Sequence, residues 1–147
     1  MLAAAGGRWR RQAELAGATL YVRAHGDITP TTACAALEEI IEPILDNAVR
    51  HTQSGGTVEI NLHIVHIEAS SEPMLIVNVS NTGEAIPADL AAHVFDPWVS
   101  SRDASVAGGL GLWLARETAR DVGGDVTVVP DAPATTFRVR LPRVDRD

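Results

Sequence analysis

Residues 32–52 read TACAALEEIIEPILDNAVRHT, and the fold is decided there. Leu37, Ile40, Ile41, Ile44, Leu45 and Ala48 recur at three- and four-residue spacing, which predicts a long helix with one buried face. Thr31 or Thr32 can cap its start, and Ser54-Gly55-Gly56 ends it. At about 100° per residue, Asn47 falls at the border of the apolar stripe and His51, one turn later, just inside it. Glu39, Pro43 and Arg50 lie on the flank beside Asn47. An edge carrying an amide, a guanidinium, an imidazole and a carboxylate is either an ordinary polar boundary or a strip that faces a ligand. In the second case the Asn47 carboxamide oxygen suits Mg²⁺, a hard cation that favours oxygen donors, and Arg50 would face phosphate oxygens. Pro43 is unexpected, because proline inside a helix costs about 3 kcal/mol; something local must tolerate a kink.

Outward from this helix, the pattern alternates between elements. Residues 2–16 can form a short helix ending at Gly17, read as a solvated helix or linker with Arg8, Arg10 and Arg11 exposed. TLYVRA and its flanks, residues 18–24, predict a strand. After the long helix, TVEINLHIVHIEA alternates apolar and polar residues, Ser70 to Pro73 turns the chain, and MLIVNVS returns, which predicts a hairpin. A short helix is expected near 87–94, with Pro87 in its first turn. GGLGLWLARETARDVGG is a glycine-rich entry, a helix and a Gly123-Gly124 stop, and strands near 125–129 and 135–141 finish the chain. The order predicts an α+β fold: a mixed sheet of about five strands with about three helices on one face. Residues 1–17 are expected to be a linker and 18–147 the domain.

Composition narrows the function classes. The 147 residues are 46% apolar and 21% charged, which suits one soluble domain. A net charge of -7 argues against a duplex nucleic-acid binder, which needs a basic surface to displace phosphate counterions. It does not exclude a nucleotide, since backbone amides, a few cations and a metal can hold a triphosphate. Cys34 is the sole cysteine, so no disulfide forms within the chain. No run approaches the roughly 18 apolar residues of a membrane span, and the N-terminal arginines follow the apolar run, the wrong order for a secretory signal. A cytoplasmic location without membrane contact is expected for this segment; any membrane anchor of a parent protein would lie elsewhere.

Three further stretches can carry chemistry. Asn81-Thr82-Gly83-Glu84-Ala85-Ile86-Pro87 directly follows a strand. It is either a simple turn or the mouth of a pocket, where the Asn81 oxygen accepts from an exocyclic amine of adenine and its amide donates to a ring nitrogen. Gly83 would let the backbone pass close to the base. Gly108-Gly109-Leu110-Gly111-Leu112 opens a helix, and amides at a helix N-terminus attract phosphate; the alternative is a flexible linker. It fits neither a P-loop nor a dinucleotide-binding fingerprint. Between Phe95 and Gly108 the chain is polar and suits either a surface loop or a lid whose Arg102 reaches phosphate, with Phe95 and Trp98 as packing anchors.

DNAVRHT, NTGEAIP, VFDPW, GGLGLWLAR and TTFRVRLP come in one order, and together they resemble the GHKL ATPase superfamily. More narrowly they resemble the catalytic and ATP-binding domain of bacterial two-component sensor histidine kinases, over about residues 18–143. The resemblance implies the Bergerat two-layer α/β sandwich, with ATP between the long helix and a lid. It puts Asn47 at the magnesium-ligating position, Arg50 and His51 beside phosphates and nucleoside, and Asn81 at the adenine-reading position, with Gly83, Ala85 and Ile86 in the same box. It puts Gly109, Leu110, Gly111 and Leu112 at the phosphates, Phe95 in the F-box and Thr136 near adenine. It implies a phosphoacceptor histidine domain and a response regulator as partners.

Departures from the family pattern sharpen the reading. Pro43 stands where ATP-hydrolysing members carry a water-activating Glu, which favours phosphoryl transfer over hydrolysis. Asn81 replaces the usual Asp, and Ala85 replaces a common glycine. None of His25, His51, His63, His66 and His93 is followed directly by Asp or Glu in a helical context, so the acceptor histidine is expected upstream, on another domain. The leading expectation is transfer of the ATP γ-phosphate to that histidine. The alternatives are a serine kinase of the anti-sigma-factor type and a nucleotide-binding module without catalysis. The isolated chain is expected to be a monomer.

Overall fold

A computed structural model describes residues 2–25, 33–65, 73–83, 91, 93–97, 110–129, 132 and 134–142, with the side chains of 2–6 and 33–35 left aside. The elements are α1 (Leu2–Leu15), β1 (Thr19–Ala24), α2 (Ala33–His51), β2 (Thr57–Val65), β3 (Met74–Asn81), α3 (Gly111–Asp121), β4 (Asp125–Val128) and β5 (Thr135–Pro142). Each falls where the hydrophobic period places it. Of the short helix expected near 87–94, residues 87–90 and 92 lie outside the described residues, as does the end of the long strand; Ala91 is helical and 93–94 form a turn.

The strands form one sheet in the order β1-β2-β3-β5-β4. β1 runs parallel to β2, and the other pairs are antiparallel, so the sheet is mixed. The parallel pair needs a long crossover, and α2 lies in it. The β2–β3 hairpin pairs Val58 with Asn81 and Val65 with Met74.

Period-2 alternation leaves one sheet face apolar and one polar. Val58, Ile60, Leu75, Val77, Val79, Phe137 and Val139 are buried beneath the helices. Glu59, Asn61, Asn78, Thr136 and Arg138 occupy the opposite face, where Arg138 donates to Asn78 at 3.0 Å. The stripe of α2 supplies the other half of the core: Ile40, Ile44, Leu45 and Ala48 are each 0% exposed.

α1 packs against the domain core. Trp9 and Ala13 are 2% and 0% exposed and belong to the same core cluster. Trp9 Nε1 donates to Glu42 of α2 at 3.2 Å, and Arg8 pairs with the same carboxylate. Among the described side chains of this helix, the buried stripe is Trp9 and Ala13, while Arg8, Arg10 and Glu14 are exposed.

Candidate functional site

The loop after β3 and the start of α3 both approach one edge of α2. Asn81 closes β3 on the helix side of the sheet, opposite Val58 and Thr135. It is 2% exposed. Its Nδ2 donates to the Thr82 carbonyl at 3.0 Å, while its Oδ1 is buried with no hydrogen-bond partner among the described residues. Leaving such an acceptor unmet costs about 1–3 kcal/mol, so a polar ligand that brings a donor recovers that cost. The Asn81 amide has two N–H groups, and one of them is used by the Thr82 carbonyl.

Gly83 follows with φ at 130°, a conformation that disfavours side chains. A Cβ there would stand 2.6 Å from the His51 carbonyl oxygen, so the loop lies directly on the C-terminal end of α2. Two turns earlier, α2 meets the start of α3: a Cβ on Gly111 would stand 3.4 Å from Cβ of Pro43. Pro43 thus faces the start of α3, where Gly111 leaves space beside it. α3 begins after Leu110, which gives no side-chain cap; amides at a helix N-terminus attract anions. Half-buried Asn47 lies between these contacts, one turn after Pro43 and one before His51. The strip covers about 12 Å of helix rise, with the Asn81 acceptor at one end and the start of α3 at the other.

Other expected site residues are placed differently. Arg50 pairs with Asp46 at 3.4 Å, and Asp46 also accepts from Gln12 of α1 at 3.3 Å; the guanidinium thus sits on the outer flank. His51 is exposed, not inside the apolar border, because it is the last residue of α2. Leu112 points into the core at 8% exposure and Leu110 is half-buried, so Leu112 can face a ligand only through its backbone. Thr136 lies on the polar face, where its Oγ1 meets Ser80 Oγ at 2.9 Å. The neighbouring Thr135 shares the face of Asn81 and is 8% exposed. A one-residue step reverses the face of a strand, and the buried alternation of Phe137, Val139 and Leu141 in TTFRVRLP was the signal for Thr135. Ala85, Ile86, Trp98, Arg102 and Gly109 lie outside the described residues.

The profile of the histidine kinase-, DNA gyrase B-, and HSP90-like ATPase family matches residues 34–145. The chain belongs to that family. Within it, the chain is an ATP-binding catalytic domain of the sensor histidine kinase type. It is 32% identical over 115 residues to the sensor histidine kinase TrcS of Mycobacterium tuberculosis, covering 76% of this chain and 22% of TrcS. It is 29% identical over 117 residues to the sensor histidine kinase Hik2 of Synechocystis, covering 72% of this chain and 27% of Hik2. The chain thus spans about a quarter of the length of these curated relatives. The catalytic domain of the histidine kinase ThkA superposes with a TM-score of 0.77 at 17% identity, covering 95% of this chain and 88% of that one. Full-length ShkA, solved with AMPPNP, gives 0.77 at 21% identity, covering 99% and 30%.

The family's F-box residue, Phe95, is a packing anchor as expected. It meets Phe137 edge-on at 5.9 Å, and the Arg116 guanidinium lies 4.8 Å from its ring centre. Arg116 also binds Asp125 at 3.0 Å, and Arg120 binds the same oxygen at 3.2 Å. Burial alone would raise the Asp125 pKa; hydrogen bonds from Arg116 and the Val126 amide, with both arginine charges, outweigh it and hold the carboxyl below its ordinary value. This cluster fixes α3 against β4, and so fixes the start of α3 beside Pro43.

Proposed function

We propose that ATP binds along the Pro43–Asn47–His51 edge of α2 and that, in the parent protein, its γ-phosphate passes to a histidine on a separate phosphoacceptor domain. The unmet Asn81 Oδ1 carries this reading. It is a neutral acceptor in the adenine position, suited to the exocyclic amine. Thr135, in place of Thr136, supplies the second polar group on that side. Gly83 keeps the loop clear of side chains near the base, and the first amides of α3 face the phosphates.

Magnesium is part of the proposal. Among the described residues no group of three His, Cys, Asp or Glu could hold a metal ion. Asn47 would therefore contribute one oxygen and the phosphates most of the rest, the usual arrangement for this ion. When bound, it would offset charge on the transferring phosphoryl group. Arg50 would exchange Asp46 for a phosphate oxygen. In the transfer, the bond from the γ-phosphorus to its bridging oxygen breaks, a nitrogen–phosphorus bond forms, and ADP leaves. Pro43 provides no carboxylate to activate water. The serine-kinase and non-catalytic alternatives are not favoured, since the relatives are sensor histidine kinases.

The same reading gives the parent a response regulator downstream, as in the complex solved between ThkA and TrrA. It places the domain in the cytoplasm; among the described residues no helix is long and apolar enough to cross a membrane. It makes the isolated chain a monomer. The test is titration of ATP, ADP and GTP, with and without Mg²⁺, against the chain and its Asn81→Ala variant. Saturable binding with ATP above GTP, weakened in the variant, supports the reading. Absence of nucleotide binding at millimolar concentration contradicts it.

A further inference from the structure

The residue that reads the base is itself held in one orientation, and the group that holds it has no assigned role. Asn81 can present either an oxygen or an N–H₂ to a ligand, because its two amide ends are nearly the same shape. Here Nδ2 donates to the Thr82 carbonyl at 3.0 Å, which leaves Oδ1 as the end without a partner among the described residues. Thr82 is fixed in turn. Its N–H donates to the Thr57 carbonyl at 3.0 Å, and its Oγ1 accepts from the Thr57 N–H at 3.0 Å. Gly56 leaves room for that hydroxyl, since a Cβ there would lie 2.4 Å from Thr82 Oγ1. The first residue of β2 thus anchors Thr82, and Thr82 orients Asn81.

We propose that Thr82 is a positioning residue that sets base selectivity: its carbonyl turns the Asn81 amide so that Oδ1 is the end left for the C6 substituent of the base. The inference rests on the nucleotide reading and adds two consequences. A purine with an amine at C6 satisfies Oδ1, whereas one with a carbonyl at C6 sets oxygen against oxygen. The aspartate usual in this family is also unsuited to this chain. At position 81 a carboxylate would direct an oxygen, not an N–H, at the Thr82 carbonyl, in a place 2% exposed.

The experiment measures Mg·ATP and Mg·ITP affinities for the chain and for Asn81→Asp, Thr82→Val and Thr82→Ser, with thermal melting of each. The parent should prefer ATP by about tenfold or more, the ratio that follows from facing a buried acceptor with another acceptor. Asn81→Asp should lose ATP affinity despite carrying the family residue. Thr82→Val keeps the shape but loses the hydroxyl anchor, so its ATP-to-ITP ratio should shrink, and Thr82→Ser should restore it. A merely structural role for Thr82 would weaken both nucleotides equally and leave the ratio unchanged, which overturns the proposal. Equal binding of ATP and ITP by the parent also overturns it while leaving the nucleotide site intact. Binding of neither overturns the nucleotide reading and this inference together. If Asn81→Asp does not fold, the parent ratio and the Thr82 variants still decide.

Discussion

Gly83→Ala probes the seam between the base loop and α2. The glycine has φ at 130°, a region whose occupation by a residue with a Cβ costs about 1–3 kcal/mol. The new methyl carbon would also stand 2.6 Å from the His51 carbonyl oxygen, and that oxygen belongs to the backbone at the end of α2, so relief requires the loop to move. Together these give an expected loss of about 2–4 kcal/mol. Urea unfolding followed by tryptophan fluorescence measures it, since Trp9 is 2% exposed in the core. Because the displaced loop begins one residue after Thr82, the variant should also bind ATP more weakly than its fractional folding accounts for. Gly7→Ala in α1 is the control: nothing lies within 4 Å of its Cβ position, and exchanging helical Gly for Ala gains about 1 kcal/mol. A loss below about 1 kcal/mol for Gly83→Ala, within the range of an ordinary surface change, together with unaltered ATP affinity, would refute the proposed contact.

Three other outcomes follow from the same structure. Thr135→Ala should weaken ATP binding while Thr136→Ala leaves it unchanged, because only Thr135 shares the face of Asn81; calorimetric titration of both variants checks this, and the reverse order would restore the original reading of Thr136. Trp9→Ala should cost about 3–5 kcal/mol in urea unfolding, as for a buried core aromatic; a loss under about 1 kcal/mol would return α1 to the status of a linker. Asp125 has a folded-state pKa below its ordinary value, so its contribution is complete above the unfolded carboxyl pKa near about 4 and is lost as pH falls through the lowered folded value. Asp125→Asn should therefore reduce the melting temperature at neutral pH and change it little in strong acid; an equal reduction at both would contradict the Arg116 and Arg120 clamp.

The fold was legible because its signals are periodic. The spacing of Leu37 to Ala48 specifies α2, and the alternation of Val58, Ile60 and Leu62 specifies a half-buried strand. The mixed sheet followed from element order alone. The packing of α1 was less legible, because charge is conspicuous in RWRRQAEL while Trp9 and Ala13 alone mark its buried side among the described side chains. Which of Thr135 and Thr136 shares the face of Asn81 was not legible in the motif, because a strand assigns faces by single residues. The acceptor left open on Asn81 could not be read at all, since it depends on the Thr82 carbonyl, a backbone group that no side-chain pattern reports. The same holds for Pro43: its penalty is visible in the sequence, but its contact with Gly111 requires α3 to be brought alongside.

The most direct measurement is amide chemical-shift mapping of the chain titrated with Mg·ATP, repeated with Asn47→Ala. The expected result is saturable shifts concentrated at Asn81, Gly83, Asn47 and Gly111, with the dependence on Mg²⁺ reduced in the variant. Shifts absent at millimolar nucleotide, or confined to the polar face of the sheet around Asn78 and Arg138, would contradict a nucleotide site along α2.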